Sequence, residues 1–332
     1  MELTTLWFLL VAVLFTGYFI LEGFDFGVGI LLPVLGRDDR ERRVLINTIG
    51  PVWDGNEVWL ITAAGALFAA FPGWYATLFS GFYLPMLLIL LALIFRGVAF
   101  EYRHKRPDAA WKNRWDTAII VGSLIPAIIW GIVFANILRG VPLNSHHDHT
   151  GGLGDLLTPY ALLGGLTTAA LFTTHGAVFL ALKTTGDVRV RAGRLAARLT
   201  PATAAITAAF LATTLGIRHT PAAIAVAVVA ALALVAAIAA TRVRREGWAF
   251  AGTAAAIGLT VATLFTALYP NVLPSTTDPA GTLTVANAAS APYTLKIMSW
   301  IALFFTPVVL AYQGWTYWVF RRRIGVAHIP PH

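Results

Sequence analysis

Cysteine is absent from this sequence of 332 residues. Without thiolates the chain can have no disulfide, thiolate-held zinc, iron–sulfur cluster or blue-copper site. Charge is also scarce: Asp, Glu, Lys and Arg together make up 12% of the residues, against roughly 25% in soluble domains. Hydrophobic residues account for 58%. This composition excludes an ordinary soluble protein and predicts an all-α integral membrane protein, folded as a single polytopic domain over residues 1–332.

Long apolar runs divide the sequence into candidate membrane helices. A helix needs about 20 apolar residues to cross a bilayer. The spans between residues 200 and 268 are rich in alanine and threonine and carry no charge, which predicts a packing scaffold. In all, the sequence predicts nine spans, at 5–35, 53–72, 75–102, 116–139, 159–183, 200–217, 221–241, 248–268 and 293–320.

Basic residues are distributed unevenly between the loops. Most of the 24 lysines and arginines follow spans 1, 3, 5 and 7 or lie in the tail at 321–323, whereas Arg139 and Arg218 fall on the other side. Cytoplasmic loops of membrane proteins carry the excess of Lys and Arg, so we predict an outside N-terminus and a cytoplasmic C-terminus. The net charge of +8 then reflects topology and contact with anionic lipid headgroups, and we expect no nucleic-acid partner.

Three charged clusters fall in the cytoplasmic half of this predicted topology. Antiparallel neighbouring helices with short links can bring them together, and ionisable groups at membrane depth are functional-site candidates. Acids three residues apart share a helix face, which favours the holding and passing of a proton. For the acids at the start of span 2, the alternative is a helix N-terminus stabilised by the helix dipole. The cluster residues are Glu22, Asp25, Asp54, Glu57, Arg96 and Glu101.

Arg96 is the one arginine well inside a span. Five residues turn a helix by about 500°, so Arg96 and Glu101 do not face each other. We therefore predict a partner on another helix or subunit, in a buried ion pair or a contact with a cofactor carboxylate. The alternative is a side chain that extends along the helix to reach the membrane surface.

Three tryptophans accompany the second span. Trp53 and Trp59 lie at nearly opposite azimuths of the helix that carries Asp54, so we predict that at least one of them packs inward. Trp74 is predicted to belong to the belt of aromatic residues at the membrane surface.

Histidine is scarce inside the spans. Of eight histidines only His175 lies in a span, and we interpret it as a hydrogen-bonded core residue, with a proton relay as the alternative. A chain that binds several haems needs several His or Met axial ligands. Met86 and Met298 lie on separate helices, so we predict no haem in this chain. We also predict no metal site in the outer loop, a flexible glycine-flanked segment that contains His146, His147, Asp148 and His149.

Three motifs contain the charged residues: GFDFGVG at 23–29, WDGNEVW at 53–59 and FRGVAFEYR at 95–103. Together they resemble subunit II of the cytochrome bd quinol oxidases. Two later segments also fit, HGAVFLALKT at 175–184 and WTYWVFR at 315–321. The resemblance runs in order from the first span to the last.

This resemblance implies two four-helix bundles and one peripheral helix. We assign the first bundle with the charged motifs to 1–158, the second to 159–292, and the last helix with its basic tail to 293–332. The partner is then a haem-bearing subunit I with haem b and haem d, and the substrates are quinol and dioxygen. The quinone type, a quinone bound as a structural lipid and a small accessory subunit stay open.

The resemblance also implies roles for individual residues. It implies that Asp54 takes part in proton delivery and that Trp59 lies on a dioxygen route through this subunit. We expect Trp53 to lie on the same route or in a subunit contact. Some relatives have Gln at position 57, and position 101 is often Asp, where this chain has Glu57 and Glu101, so the proton role of Glu57 stays open.

The expected function is thus the haem-free subunit II of a quinol:dioxygen oxidoreductase in the bacterial cytoplasmic membrane, with lipids around its multi-pass fold. A stand-alone proton-coupled transporter is one alternative, although such proteins more often show repeats and broken helices. A purely structural assembly subunit, which would need the acids only for ion pairs, is the other.

Overall fold

The computed structural model describes residues 2–330, most of which lie in helices. The eleven α-helices are α1 Leu3–Leu35, α2 Asp39–Ile49, α3 Trp53–Ala70, α4 Pro72–Gly81, α5 Tyr83–Tyr102, α6 Ala109–Arg139, α7 Pro159–Lys183, α8 Gly186–Ile217, α9 Pro221–Arg242, α10 Glu246–Leu268 and α11 Pro292–Val319. Two short antiparallel strands, β1 Asn271–Leu273 and β2 Leu283–Thr284, lie in the loop before α11.

Eight of these helices are long and apolar enough to cross a membrane: α1 and α5 through α11. The all-helical, polytopic membrane fold expected from composition is therefore confirmed. The helix at the predicted second span, α3, is not among the eight. Its first turn contains the polar residues of the WDGNEVW motif, which lower the hydropathy of an already short helix.

The helix boundaries differ from the predicted spans in three ways. The predicted span 75–102 is interrupted at Phe82, which ends α4 and precedes α5. The predicted loop at 36–52 contains α2, a polar helix that buries one apolar face with Val44, Leu45 and Ile49. The helices α6 and α8 begin earlier than the spans predicted there, because their first turns are polar and a hydropathy criterion does not detect them.

Helix α1 lies at the centre of the fold and packs against α3, α6, α7 and α10. It comes closest to α7 at Gly27 and Gly176, where a Cβ added to Gly27 would lie 2.8 Å from the Gly176 Cα. Small residues permit this kind of close approach between membrane helices. Helix α11 is peripheral by comparison, and Leu295 is its one buried residue among those described.

Ion pairs join several helices at one end of the bundle. Arg103 contacts both Asp39 and Asp116, with nitrogen–oxygen distances of 2.8 and 2.5 Å. Burial would raise the pKa of Asp39, but hydrogen bonds from Lys112 and Arg103 outweigh it and hold this pKa below its ordinary value. We call this end, defined by Asp39, Arg103, Asp116 and the ion pair between Arg191 and Glu41, the basic end.

Candidate functional site

A buried ion pair joins α1 to α5. The side chains of Glu22 and Arg96 are both fully buried, and Nη2 of Arg96 contacts Oε1 of Glu22. The same Nη2 lies 3.4 Å from Oε1 of Glu57 on α3, whose side chain is 23% exposed. The Phe26 and Phe100 rings cover the guanidinium, with centroids 4.8 and 5.5 Å from its Cζ. The buried ion pair predicted for Arg96 is confirmed, and the alternative of a side chain reaching the membrane surface is wrong.

A chain of hydrogen bonds joins Asp25, three residues after Glu22 on α1, to α11. Asn56 is fully buried on α3 and donates from Nδ2 to Oδ2 of Asp25 at 2.7 Å. The Tyr317 hydroxyl in turn donates to Oδ1 of Asn56, also at 2.7 Å. Sequence reasoning missed both polar partners. The position of Asn56 between Asp54 and Glu57 was a signal that could have identified it, whereas nothing local indicated Tyr317, 261 residues further along the chain.

The buried cluster contains more acid than base. Glu22 and Glu57 share the single guanidinium of Arg96, and a third carboxyl group, that of the buried Asp25, forms no ion pair with a described residue. If all three were ionised, the uncompensated negative charge would face a low dielectric, at a high cost in free energy. Among the described residues, Oδ1 of Asp25 and Oε2 of Glu22 have no hydrogen-bond partner. The arrangement is therefore suited to holding protons and exchanging them among neighbouring carboxyl groups.

Asp54 is exposed, one helical turn before Glu57. Its Oδ1 accepts a hydrogen bond from the backbone N–H of Gly55 at 2.7 Å, and it forms no ion pair within residues 2–330. Asp25 and Arg96, which the sequence analysis grouped with Asp54, are fully buried, and among the described residues neither forms an ion pair or hydrogen bond with it. Glu57, partly exposed, lies between this surface and the buried pair.

Glu101 does not join the cluster around Arg96. It is exposed near the end of α5 and makes no ion pair with another described residue. The helical spacing that separates it from Arg96 explains this position. The fully buried acid that pairs with Arg96 is Glu22 on α1.

Trp53 and Trp59 both contact residues inside the chain, as predicted for at least one of them. The Trp59 Nε1 donates to Oε1 of Gln313 at 2.8 Å, and its ring lies so close to Gly17 that an added Cβ would be 2.2 Å away. The ring of Trp53 lies 5.2 Å from that of Phe100.

The membrane-surface position expected for Trp74 is wrong. This residue lies in α4 and is only 1% exposed. Its ring stacks on Phe8 at 6.4 Å and contacts Phe71 edge-on. The break between α3 and α4 directs the chain back into the core here, which hydropathy alone did not reveal.

His175 is embedded in packed side chains. It is fully buried, and its Nδ1 lies 2.7 Å from the Thr253 hydroxyl. Its ring stacks on Phe250 at 4.6 Å, and Phe24 lies edge-on at 5.9 Å. These contacts support a structural, hydrogen-bonded histidine packed between aromatic rings.

The histidines of the outer loop do not converge on a metal site. The Nδ1 of His147 pairs with the backbone carbonyl of Gly281 at 2.9 Å. Across residues 2–330 no group of three or more His, Asp or Glu side chains is arranged to hold a metal ion.

Comparison with known proteins relates this geometry to a family. Residues 3–320 match the family model for cytochrome bd terminal oxidase subunit II. The chain belongs to this family. Cytochrome bd ubiquinol oxidase subunit 2 of Bacillus subtilis is 45% identical over 98% of this chain and 97% of its own length. Cytochrome bd-I ubiquinol oxidase subunit 2 of Escherichia coli K12 is 36% identical over 96% of this chain and 94% of its own.

The fold agrees with this membership. A chain from the structure of bd oxidase from Geobacillus thermodenitrificans superposes with a TM-score of 0.76 at 21% identity, covering 97% of this chain and 98% of that one. As a cytochrome bd subunit II, the chain is part of a quinol oxidase, an oxidoreductase, and is a multi-pass protein of the bacterial inner membrane. The stand-alone transporter alternative is not supported.

Proposed function

We propose that this subunit II takes up protons from the cytoplasm for dioxygen reduction in a haem-bearing partner subunit. The observation that carries the proposal is the buried group of Glu22, Glu57 and Arg96, one helical turn from the exposed Asp54. Reduction of dioxygen to water consumes one proton for each electron. Quinol supplies the electrons, and the carboxyl groups of this subunit supply protons.

The proposed path begins at Asp54 and passes to Glu57, which is partly exposed. From there Glu22 and Asp25 receive the proton inside the chain. Arg96 compensates part of the negative charge and holds Glu22 and Glu57 near one point. Glu101, exposed like Asp54, is a second candidate for the entrance, and His175 stays outside the path because its contacts are with Thr253 and aromatic rings.

The arrangement in the membrane follows from the charge distribution. We propose an outside N-terminus and a cytoplasmic basic end, with α3 completing nine crossings. The first bundle then comprises residues 1–158, the second 159–292, and the peripheral element 293–332. This orientation opens the Asp54 entrance to the cytoplasm.

The partner subunit I carries haem b and haem d in this proposal, since His175, Met86 and Met298 lie on three separate helices of this chain and offer few axial ligands for several haems. We place the contact with subunit I on the side of α11, whose apolar residues are nearly all exposed. Trp59 contacts α11 through Gln313, and we propose Trp59 and Trp53 for the dioxygen route or the subunit contact.

Asp54→Asn tests the proton role. We expect turnover of the purified oxidase to fall at least about tenfold, with the absorption of bound haem unchanged, because an amide cannot pass on a proton. Asp187→Asn is the matched control, since Asp187 is an exposed acid at the same end with no part in the cluster.

Unchanged turnover in Asp54→Asn would contradict the proposal. A parallel loss of haem and turnover would instead indicate the purely structural role, in which the acids serve assembly.

A further inference from the structure

A second feature of the basic end lies away from the charged cluster. A cavity of about 510 Å³ opens between α7, α8, α9 and α10. A neighbouring cavity of about 320 Å³ shares Gly193, Arg194, Thr241 and Arg244 with it. The inner wall of the larger cavity is apolar and is formed by Val178, Ala181, Ala196, Ala240 and Ala249.

The rim of this pair of cavities is strongly basic. Five arginines line it, and four of them are exposed and form no ion pair with an acid within residues 2–330. Of the two acids in the lining, Glu246 is already engaged by the fifth arginine, Arg189, at 2.8 and 3.0 Å, and by Arg323 at 3.1 Å, whereas the exposed Asp187 forms no ion pair with a described residue. The rim therefore presents an excess of positive charge, carried by Arg194, Arg198, Arg242 and Arg244.

The backbone at Arg244 adds a second observation. Its φ of 56° lies in the left-handed region, which disfavours a bulky L-residue and favours glycine. The turn that follows α9 thus holds Arg244 in a strained backbone conformation, and the Arg244 side chain lines both cavities. The same turn closes the C-terminus of α9, with the N–H of Arg245 donating to the carbonyl of Ala240 at 3.0 Å, and so holds Arg244 at both cavities.

The surroundings identify the level of the site in the membrane. Trp248 and Val243 lie on the same turn and are 70% and 66% exposed. Tryptophan is enriched at the headgroup level of bilayers. An apolar wall below and a guanidinium rim at headgroup level match a molecule with an acyl chain and a phosphate.

We propose that this pair of cavities binds an anionic phospholipid. Its phosphate would accept hydrogen bonds from Arg194 and Arg244, since the planar guanidinium suits phosphate oxygens. One acyl chain would lie along the alanine wall of α8 and α9. Basic pockets between membrane helices bind anionic headgroups by the same chemistry.

Two kinds of substitution distinguish the contribution of the positive charge from that of the cavity volume. Arg244→Gly removes one cation and relieves the left-handed strain, so the turn keeps its conformation. Gly193→Leu keeps every charge and fills the cavity, since a Cβ at Gly193 would meet only the Ala181 Cβ at 3.9 Å. Arg114→Gln is the control, because Arg114 is an exposed arginine at the same end and lies outside both cavities.

The experiment uses the complete oxidase, delipidated in detergent and titrated with phosphatidylglycerol, with native mass spectrometry to count bound lipids. We expect one saturable site that Arg194→Gln and Arg244→Gly each weaken roughly fivefold, given about 1 kcal/mol per basic residue. Gly193→Leu should remove the site, and Arg114→Gln should leave it unchanged. Phosphatidylcholine should bind more weakly, and inorganic phosphate should not displace the lipid.

Three results would overturn the proposal. Equal weakening by Arg114→Gln would mean that only the general surface charge attracts the lipid. Unchanged binding in both Arg244→Gly and Gly193→Leu would mean that the lipid sits elsewhere. Displacement by inorganic phosphate at the lipid's own concentration would mean that the site takes the free anion.

Discussion

Replacing Arg96 by methionine tests how the buried charges are held. Methionine fills a similar volume without charge, so the substitution leaves Glu22 without its ion-pair partner at full burial. Removing one member of a buried pair typically costs 3–5 kcal/mol, because the remaining charge is uncompensated. We expect a loss of unfolding free energy of up to about this size, because Glu22 must then either stay ionised without a partner or take up a proton.

A double-mutant cycle isolates the interaction. We expect the double variant Glu22→Met and Arg96→Met to be more stable than Arg96→Met alone, since no ionised partner is then left buried at that point. The measurement is unfolding of the purified oxidase in mixed detergent micelles at neutral pH. Arg114→Met, an exposed arginine, is the control and should change stability by less than about 0.5 kcal/mol.

A different outcome would refute this reasoning. If Arg96→Met cost no more than Arg114→Met, the guanidinium would not be compensating buried carboxylates. If the single and double Arg96 variants were equally unstable, the loss would reflect packing of the arginine side chain between its aromatic neighbours, and not its charge.

Three further substitutions test the surrounding structure, each by thermal unfolding of the purified oxidase. Gly27→Ala should destabilise by at least about 1–3 kcal/mol, because its Cβ would lie 2.0 Å from a carbonyl oxygen of α7, whereas Gly65→Ala, with open space, should not. Asp39→Asn should destabilise at neutral pH. Because the folded pKa of Asp39 is lowered, its contribution is present above about pH 4 and is lost as pH falls through that lower value, so variant and wild type should converge in acid. Tyr317→Phe should cost about 1–3 kcal/mol by leaving the buried Asn56 oxygen without its donor.

Much of the fold and part of the site follow from the sequence. Hydropathy identifies the long apolar helices because a bilayer sets their length, and the high cost of burying a charge singles out Arg96 from its position within an apolar run. Helix α2 and the break at Phe82 are not found in this way, because they depend on the packing of one amphipathic face and on a local change of direction.

The residues of the site are likewise only partly predictable from the sequence. Helical spacing correctly predicts that Arg96 and Glu101 do not face each other. It cannot identify which acid on a neighbouring helix pairs with Arg96. The choice of Glu22 depends on the relative rotation of α1 and α5, which the packing of many apolar residues determines. Tyr317 is beyond local reasoning altogether, since only the path of α11 brings it to Asn56.

The two acids of α1 connect the site to different parts of the molecule. Glu22 faces Arg96 on α5, while Asp25 accepts from Asn56, which in turn accepts from Tyr317 on α11. Helix α11 touches the rest of the chain lightly and exposes most of its apolar surface. A partner that packs on α11, as we propose, would fix the position of the Tyr317 hydroxyl and, through Asn56, the hydrogen bonding of Asp25. Subunit assembly would then be coupled to the state of the buried acids through two hydrogen bonds of 2.7 Å.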